Sequence, residues 1–274
     1  MAADRKTAIV TGAASGIGRS MALGLARSGI NVMAVDRNAS ALAQVEQSAA
    51  GFPGAFHGFA ADLAQQESFD AIVAATLAKF GAIDILVNNA GIGQAAVKPD
   101  ARNNPIRFWE ITPELWSRFL AVNATAPIMM ARAVLPHMLK ANKGRVITVT
   151  TSLGTMVREG YLLYGSSKAA AESSMAVLAA DLVGTGVTAN VLVPGGVTNT
   201  ALVGENAGDP AKMLQPDIMV PPLLWLVSDS ADSVSARRFI AADWDTSLPD
   251  AQAAEKAGAP IAWLGIARMP IEPK

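Results

Sequence analysis

The chain has 274 residues, of which 51% are hydrophobic and 16% charged, and its formal net charge is -1. It has no run of basic residues, which argues against a nucleic-acid partner or an anionic membrane surface, so we expect small-molecule partners. It also contains no Cys, which excludes disulfides, thiolate metal sites and cysteine nucleophiles.

Short apolar runs, many rich in β-branched residues, alternate along the chain with longer helical patterns. The predicted strands are Ala8 to Val10, Asn31 to Val35, Ile83 to Val87, Arg145 to Thr150 and Val187 to Val193. The predicted helices are Gly16 to Ser28, Ala39 to Ala49, Gln65 to Lys79, Pro113 to Leu139 and Leu162 to Val183. Continuous apolar strands separated by helices are typical of a parallel sheet covered on both faces. We therefore expect a doubly wound α/β fold, Rossmann-type, as a single domain over residues 1–274.

The first apolar segment, which leads to Gly12, is too short for the core of a signal peptide or for a membrane span. Together with the lack of Cys, this predicts a cytoplasmic protein. Two segments have no clear pattern, Gln94 to Phe108 and Thr198 to Pro216. Long irregular segments in compact domains are usually functional loops or local disorder, and we expect these two to influence substrate choice.

Three glycines, Gly12, Gly16 and Gly18, stand where the first predicted strand turns into the first helix. Without side chains, the backbone there can approach a pyrophosphate at the amino end of the helix. Tight packing of a helix on a strand produces similar glycines, so the turn alone decides little. Asp36 ends the next strand, 18 positions beyond Gly18. That is close to the roughly 20 expected for a carboxylate that binds the ribose hydroxyls of adenosine, so the pair predicts a dinucleotide site.

The same carboxylate predicts NAD, with NADP less favoured, because a 2′-phosphate would meet the negative charge of Asp36. Arg37 is the counterargument, since a guanidinium beside the ribose could bind that phosphate. Neighbouring side chains along a strand point in opposite directions, so we expect Arg37 to face away from the ribose.

A second group of polar residues occurs further along the chain. Tyr164 and Lys168, four positions apart, share one face of a predicted helix. A nearby ammonium favours the ionised form of a phenol and makes it a usable acid or base. This spacing is common on solvated helix faces, but here it follows a strand that ends in Thr150, Thr151 and Ser152. Hydroxyls at that position can polarise the carbonyl of a substrate.

Taken together, these motifs resemble the short-chain dehydrogenase/reductase superfamily in its compact single-domain form. The resemblance covers about residues 5–242 and leaves 243–274 as a C-terminal extension. TGAASGIG resembles the cofactor turn of the family, and the residues NNAG at 88–91 match its element after the fourth strand. The resemblance also implies a sheet of about seven strands. The cofactor contacts that it implies are Gly12, Ser15, Gly16, Ile17, Gly18, Asp36, Arg37, Asp62, Leu63, Asn89, Ala90, Gly91, Tyr164, Lys168, Pro194, Gly195, Val197 and Thr200.

The resemblance further implies catalytic roles. Tyr164 is expected to exchange the proton, Lys168 to bind the ribose and lower the pKa of Tyr164, and Asn123 to anchor a proton-relay water. Thr151 lies 13 positions before Tyr164, the usual spacing of the family's catalytic hydroxyl. Ser152 takes this role instead if the loop is shifted by one residue.

Two departures from the family pattern concern the second half of the chain. The segment PGGVTNT makes either Thr200 or Thr198 the hydroxyl on the phosphate side, and we favour Thr200. Asp243, Trp244 and Asp245 replace the usual Asp-Gly-Gly, which bears on substrate choice or on the subunit surface. No metal site is predicted, since His57 and His137 have no partner at ligand spacing.

The predicted activity is interconversion of a small-molecule alcohol and a ketone or aldehyde, with hydride transfer to or from a nicotinamide cofactor. The resemblance implies a homotetramer joined partly through the helices Pro113 to Leu139 and Leu162 to Val183. An epimerase or dehydratase of the same family is one alternative. A non-catalytic NAD-binding sensor or structural subunit is another, which the loss of Tyr164, Lys168 or Asn123 would have favoured; all three are present.

Overall fold

The computed structural model describes residues 5–204 and 208–266. The strands are β1 (Thr7–Thr11), β2 (Asn31–Asp36), β3 (Phe56–Ala60), β4 (Ile85–Asn88), β5 (Gly144–Val149), β6 (Val187–Val193), β7 (Arg237–Ile240) and β8 (Gly258–Pro260). They form one eight-stranded sheet in the order β3-β2-β1-β4-β5-β6-β7-β8. Every neighbouring pair is parallel except β7 and β8, which are antiparallel. The doubly wound parallel sheet is confirmed, and the C-terminal extension adds one antiparallel strand beyond the expected seven.

The helices are α1 (Gly16–Arg27), α2 (Ala39–Ser48), α3 (Glu67–Phe80), α4 (Pro113–Leu120), α5 (Ala126–Ala141), α6 (Leu153–Met156), α7 (Ser167–Asp181), α8 (Val220–Leu226) and α9 (Asp250–Ala257). A π-helical turn at Ala121–Thr125 joins α4 to α5, and another at Leu162–Ser166 leads into α7.

The apolar residues of each strand alternate between the two faces of the sheet. In β1, Ala8 and Val10 pack with the buried residues of α1, α8 and α9, whereas Ile9 packs with those of α3, α5 and α7. This is the period of two that a strand imposes on its side chains. The sheet is therefore covered by helices on both faces, and its strand ends form the edges where ligands bind in this architecture.

The sequence predicts no residue ranges for β3, β7 and β8, because their apolar patterns are weak. β3 is an edge strand whose residues are only partly buried, so its sequence FHGFA has no continuous apolar run. β7 begins with Arg237 and Arg238, whose charges obscure the strand pattern. β8 exists because the C-terminal segment folds back along β7. Of the extension, residues 267–274 lie outside the described residues.

The continuous helix over Pro113–Ala141 is long and apolar enough to cross a membrane, judged by its length and composition alone. Its residues Met130, Val134 and Met138 are fully buried and pack in the core with α3 and α7. Core helices pass the same test of length and composition, and this packing accounts for the apolar character of the helix.

Candidate active site

The turn between β1 and α1 has room for backbone only. Gly12 and Gly16 have φ of +67° and +51°, in the left-handed region that favours glycine. A Cβ on Gly18 would collide with the carbonyl oxygen of Gly12. Ser15, just before α1, makes no side-chain capping bond, and the first amides of a helix have no partner within it. The turn thus leads into helix N–H groups without intrahelical partners, an arrangement that suits a pyrophosphate.

Asn89, at the end of β4, holds this turn in shape. Its Nδ2 donates to the carbonyl oxygens of Thr11 at 3.0 Å and Gly12 at 3.3 Å. The Thr11 hydroxyl oxygen in turn accepts from the backbone N–H groups of Asn89 at 3.0 Å and Ala90 at 3.1 Å. The side chain of this sequence-predicted cofactor residue therefore ties two strand ends together.

Asp36 ends β2 beside the same turn. Its carboxylate accepts from the backbone N–H of Ala14 at 3.2 Å and of Asn38 at 3.0 Å. Asp36 is partly buried, whereas Arg37 is exposed. Further along the sheet edge, Leu63 after β3 is buried in the core cluster that contains Val35 of β2. Asp62 before it is exposed and accepts from the N–H of Ala64 at 3.0 Å; both residues follow the carboxyl end of β3, which pairs in parallel with β2 up to Asp36.

Tyr164 lies in the π-helical turn before α7, where its ring packs against a small apolar cluster of Ile106, Phe119 and Leu163. Burial raises the pKa of Tyr164 to about 12, and hydrogen bonding with the Thr151 side chain acts in the opposite direction. The expected lowering of this pKa by Lys168 is wrong for this structure, because desolvation of the phenol outweighs the other influences and Lys168 is not among them.

Lys168 is 4% exposed and its Nζ donates to the Val149 carbonyl oxygen at 2.9 Å. Burial lowers its pKa to about 8, because a charged ammonium is disfavoured away from water. A Cβ on Gly91 would lie 3.3 Å from Nζ of Lys168 and 3.2 Å from Oδ1 of Asn123. Lys168, Asn123 and Gly91 therefore meet at one place.

Asn123 is fully buried in the π-helical turn between α4 and α5. Its Oδ1 accepts from the Ile92 N–H at 2.8 Å, and its Nδ2 donates to the Ile92 carbonyl oxygen at 3.0 Å and to Oγ of Ser167 at 3.1 Å. The side-chain amide is thus fully engaged. Pro127, four positions on, has no N–H, so the main-chain carbonyl of Asn123 lacks its ordinary α-helical donor.

The two neighbouring hydroxyls after β5 have different partners. Thr151 is partly buried, and its side chain lowers the pKa of Tyr164. Ser152 is exposed and caps α6, where its Oγ accepts from the Thr155 N–H at 3.3 Å and lies 2.7 Å from Oγ1 of Thr155. Of the two hydroxyl residues, Thr151 is the one whose side chain influences the pKa of Tyr164.

The loop after β6 lies over the glycine turn. A Cβ on Gly16 would lie 2.9 Å from Cγ2 of Thr200, whereas Thr198 is buried and bonds within its own loop. Pro194, Gly195 and Val197 precede these residues at the end of β6. Of the two predicted alternatives, Thr200 is the one beside the turn.

The two irregular segments meet next to this site. A Cβ on Gly93 would lie 2.7 Å from the Leu202 carbonyl oxygen, and one on Gly204 would lie 2.6 Å from Cβ of Ala95. Gln94 donates to the carbonyl oxygen of Gly160, four positions before Tyr164. Both segments therefore border the Tyr164 side of the sheet edge. Residues 205–207 of the second segment lie outside the described residues.

The histidines stay apart from this cluster. His57 lies 3.4 Å from the Glu46 carboxylate, and His137 is exposed on α5. In residues 5–204 and 208–266 no three His, Asp or Glu side chains are grouped to hold a metal ion.

The sequence did not single out Glu172 and Arg238, which form a buried ion pair close to Thr151. The signal was present for Glu172, because it follows Lys168 by four positions and shares its helix face. No local pattern connects it to Arg238, which is 66 positions away.

The turn between β1 and α1 is open to a ligand because Gly12 and Gly18 have no side chains, and it fits a dinucleotide. The cluster of Tyr164, Lys168 and Asn123 lies at the same sheet edge. This fold and site define a class of protein, the nicotinamide-dependent oxidoreductases with a doubly wound sheet.

Comparison with known proteins specifies the family. A family model described as short chain dehydrogenase matches residues 6–210. The chain is 33% identical to D-threitol dehydrogenase of Mycolicibacterium smegmatis over 249 residues, which cover 86% of this chain and 91% of that one. The chain belongs to the short-chain dehydrogenase/reductase family, whose activity here is alcohol/ketone oxidoreduction with a nicotinamide cofactor.

Two solved structures are similar to this chain. A candidate NAD(P)-dependent gluconate 5-dehydrogenase from Beutenbergia cavernae, with NADP at low occupancy, matches with a TM-score of 0.74 and 32% identity over 84% of this chain and 92% of that one. A metagenomic short-chain oxidoreductase in complex with NADP matches with a TM-score of 0.72 and 26% identity over 86% of this chain and 95% of that one.

Proposed function

We propose that this chain uses NAD to interconvert a small-molecule alcohol and its ketone or aldehyde, with Tyr164 as the acid and base. The observation that carries the proposal is the cluster at this sheet edge, where the buried Lys168 lies beside Asn123 at Gly91 and the Thr151 side chain lowers the pKa of Tyr164. Carbonyl reduction uses one hydroxyl to polarise the carbonyl oxygen and another to protonate it, and Thr151 and Tyr164 would take these two roles.

In the reducing direction a nicotinamide cofactor, when bound, would supply the hydride for the carbonyl carbon. Tyr164 donates its phenolic proton to the carbonyl oxygen as the alcohol forms, and Thr151 donates a hydrogen bond to the same oxygen. A pKa of about 12 keeps the phenol protonated at neutral pH, which suits the donor. In alcohol oxidation Tyr164 first passes its phenolic proton to the Lys168 relay; the phenolate then accepts the hydroxyl proton of the alcohol, and Thr151 again holds the oxygen.

Lys168 and Asn123 return the proton to Tyr164. Burial lowers the pKa of Lys168 to about 8, so its ammonium releases a proton more readily than an exposed lysine does. The main-chain carbonyl of Asn123, which lacks a donor from Pro127, accepts a hydrogen bond from a water that links Lys168 to solvent.

The cofactor would be held along the sheet edge. The amino end of α1, with Gly12, Ser15, Gly16, Ile17 and Gly18, would bind the pyrophosphate. Asp36 would accept the adenosine ribose hydroxyls, with Asp62 and Leu63 at the adenine. The residues for the nicotinamide half are Asn89, Ala90, Gly91, Pro194, Gly195, Val197 and Thr200. The preference for NAD rests on Asp36; the NADP in the two similar structures belongs to those proteins.

We also propose a single-domain subunit that assembles as a homotetramer in the cytoplasm. The apolar residues Leu139, Val177 and Val183 are 45%, 60% and 82% exposed on α5, on α7 and just after it, which supports packing between subunits there. Light scattering measures the number of subunits in the assembly. The number of unfolding transitions reports on the number of domains, and cell fractionation tests the cellular location of the protein.

The test of function is a screen of alcohols and ketones that follows nicotinamide absorbance. Since the relatives include a D-threitol dehydrogenase and a candidate gluconate 5-dehydrogenase, small polyols, sugar acids and their ketones come first. Turnover that requires Tyr164 supports the proposal. Cofactor binding without turnover across the panel would instead favour a sensor or structural subunit, and isomerised or dehydrated products would favour an epimerase or dehydratase.

A further inference from the structure

A buried ion pair connects α7 to β7 close to the candidate catalytic hydroxyl. The Glu172 side chain is 0% exposed and the Arg238 side chain 5%. Nε of Arg238 donates to Oε1 of Glu172 at 2.8 Å, and a terminal N–H of Arg238 approaches Oε2 at 3.4 Å. The arrangement is nearly bidentate, the geometry in which a guanidinium fixes a carboxylate most firmly.

The pair also holds the end of β5. The Thr150 hydroxyl donates to Oε2 of Glu172 at 2.6 Å, and Arg238 donates to the main-chain carbonyl of Thr151 at 2.6 Å. Lys168, one helical turn before Glu172, donates to the carbonyl of Val149. Each of the consecutive residues 149–151 is therefore bonded to α7 or to β7.

The C-terminal extension completes this network. The N–H of Ala262 donates to Oε1 of Glu172 at 3.1 Å. Ala262 follows β8, and Ala259 of that strand pairs with Arg238. The carboxylate of Glu172 thus receives bonds from three separate parts of the chain: the end of β5, β7 and the extension.

Stability alone explains such a pair poorly. Removing two charges from water costs several kcal/mol per ion, and well-packed apolar residues often replace buried pairs without loss. What apolar residues cannot reproduce is the directional bond to the Thr151 main chain. We propose that Glu172 and Arg238 are positioning residues, which fix residues 150–151 so that the Thr151 hydroxyl meets Tyr164, and that the segment around Ala262 completes their arrangement. The inference rests on the proposed function of Thr151.

The first test is Glu172→Gln, which keeps the shape of the side chain and removes its charge. The expected result is a fall in kcat between about 10-fold and 100-fold, since small displacements of a catalytic group have effects of this size. The KM for NAD should stay near its wild-type value, because the hydrogen-bonding partners of Glu172 are Thr150, Arg238 and Ala262, none of which belongs to the glycine turn. A kcat equal to that of wild type would overturn the proposal.

The decisive measurement is made in a Thr151→Val background. If Glu172 acts through the Thr151 hydroxyl, Glu172→Gln lowers kcat no further once that hydroxyl is gone. Additive losses would overturn the positioning role while leaving the role of Thr151 intact. A Thr151→Val enzyme with wild-type kcat would overturn the proposed function and this inference together.

A second variant tests the proposal if Glu172→Gln does not fold. Glu172→Leu with Arg238→Met replaces the pair by apolar side chains, and we expect it to fold, to keep the kcat loss and to show the same non-additivity with Thr151→Val. A fully active double variant would overturn the proposal.

The matched control is Arg145→Met, because Arg145 is also a buried, ion-paired arginine but lies at the start of β5. Arg145→Met should lower stability and leave kcat unchanged. If it lowers kcat as much as Glu172→Gln does, the loss at Glu172 comes from general destabilisation, and the positioning role is overturned.

Discussion

The Thr151 side chain lowers the pKa of the Tyr164 phenol, whereas its immediate neighbour Ser152 is exposed and caps α6. Thr151→Val keeps the shape of the side chain and deletes the hydroxyl, so we expect kcat to fall about 10²- to 10³-fold, as for other donors to a reacting oxygen. Ser152→Ala removes a helix cap from α6 and should cost about 1 kcal/mol of stability with little change in kcat. Steady-state kinetics and urea unfolding of both variants measure this; the opposite ranking would show that Ser152 is the functional hydroxyl.

Tyr164→Phe tests the acid and base directly. The ring remains to pack with Ile106 and Leu163, so we expect a stable fold and normal cofactor affinity. Because the proton donor is lost, kcat should fall about 10²- to 10⁴-fold. Calorimetric titration with NAD and NADH, alongside kinetics, separates binding from chemistry. Tyr161→Phe is the matched control on the same turn, and near-normal turnover of Tyr164→Phe would refute the assignment.

Patterns confined to short stretches predicted much of this molecule. The glycine turn, Asp36 at the end of β2 and the spacing of Tyr164 and Lys168 each follow from strand and helix periodicity, which places them at one sheet edge. The Glu172–Arg238 pair depends on how α7 and β7 pack, which no local pattern reports. The pKa of Tyr164 was predicted in the wrong direction for a similar reason, since its burial depends on Ile106 and Phe119 from distant segments.

Lys168 should make stability depend on pH. Burial lowers its pKa from 10.5 to about 8, so between these values the unfolded chain binds more protons than the folded protein. Stability from this group therefore rises with pH across that window. Lys168→Met lacks the titration, so the free energy of unfolding of wild type relative to the variant should increase from about pH 7.5 to about pH 10. Tyr164 titrates in both proteins, and its contribution cancels in the difference. Urea unfolding across this range checks the prediction, and a constant difference would contradict it.

The segment 94–108 should influence the substrate rather than the cofactor. It is anchored by the bond from Gln94 to Gly160 and by the buried Ile106, both on the Tyr164 side of the site. Replacing residues 98–104 by a shorter Gly-Ser turn keeps these anchors. We expect altered relative kcat/KM among substrates, or altered assembly, with an unchanged Kd for NAD. A large loss of NAD affinity in a variant with normal circular dichroism would disprove this assignment.

Asp36 should make the enzyme prefer NAD to NADP. Its carboxylate lies beside the glycine turn and accepts from the Ala14 N–H, so a 2′-phosphate on the neighbouring ribose would meet a like charge. At about 4 Å and an effective dielectric near 20, that repulsion is on the order of 4 kcal/mol per pair of unit charges before solvent and salt reduce it. About a third of this energy already corresponds to a tenfold preference. Arg37 could offset the repulsion by binding the phosphate, but it is exposed, and Ala13, Ala14 and Ser15 of the glycine turn add no second positive charge. The measurement is kcat/KM for both cofactors in wild type, Asp36→Ala and Arg37→Ala. Asp36→Ala should shift the preference towards NADP, and Arg37→Ala, the matched control, should leave the wild-type preference for NAD in place. A wild-type preference for NADP, or an Asp36→Ala variant with no shift, would rule out this role for Asp36.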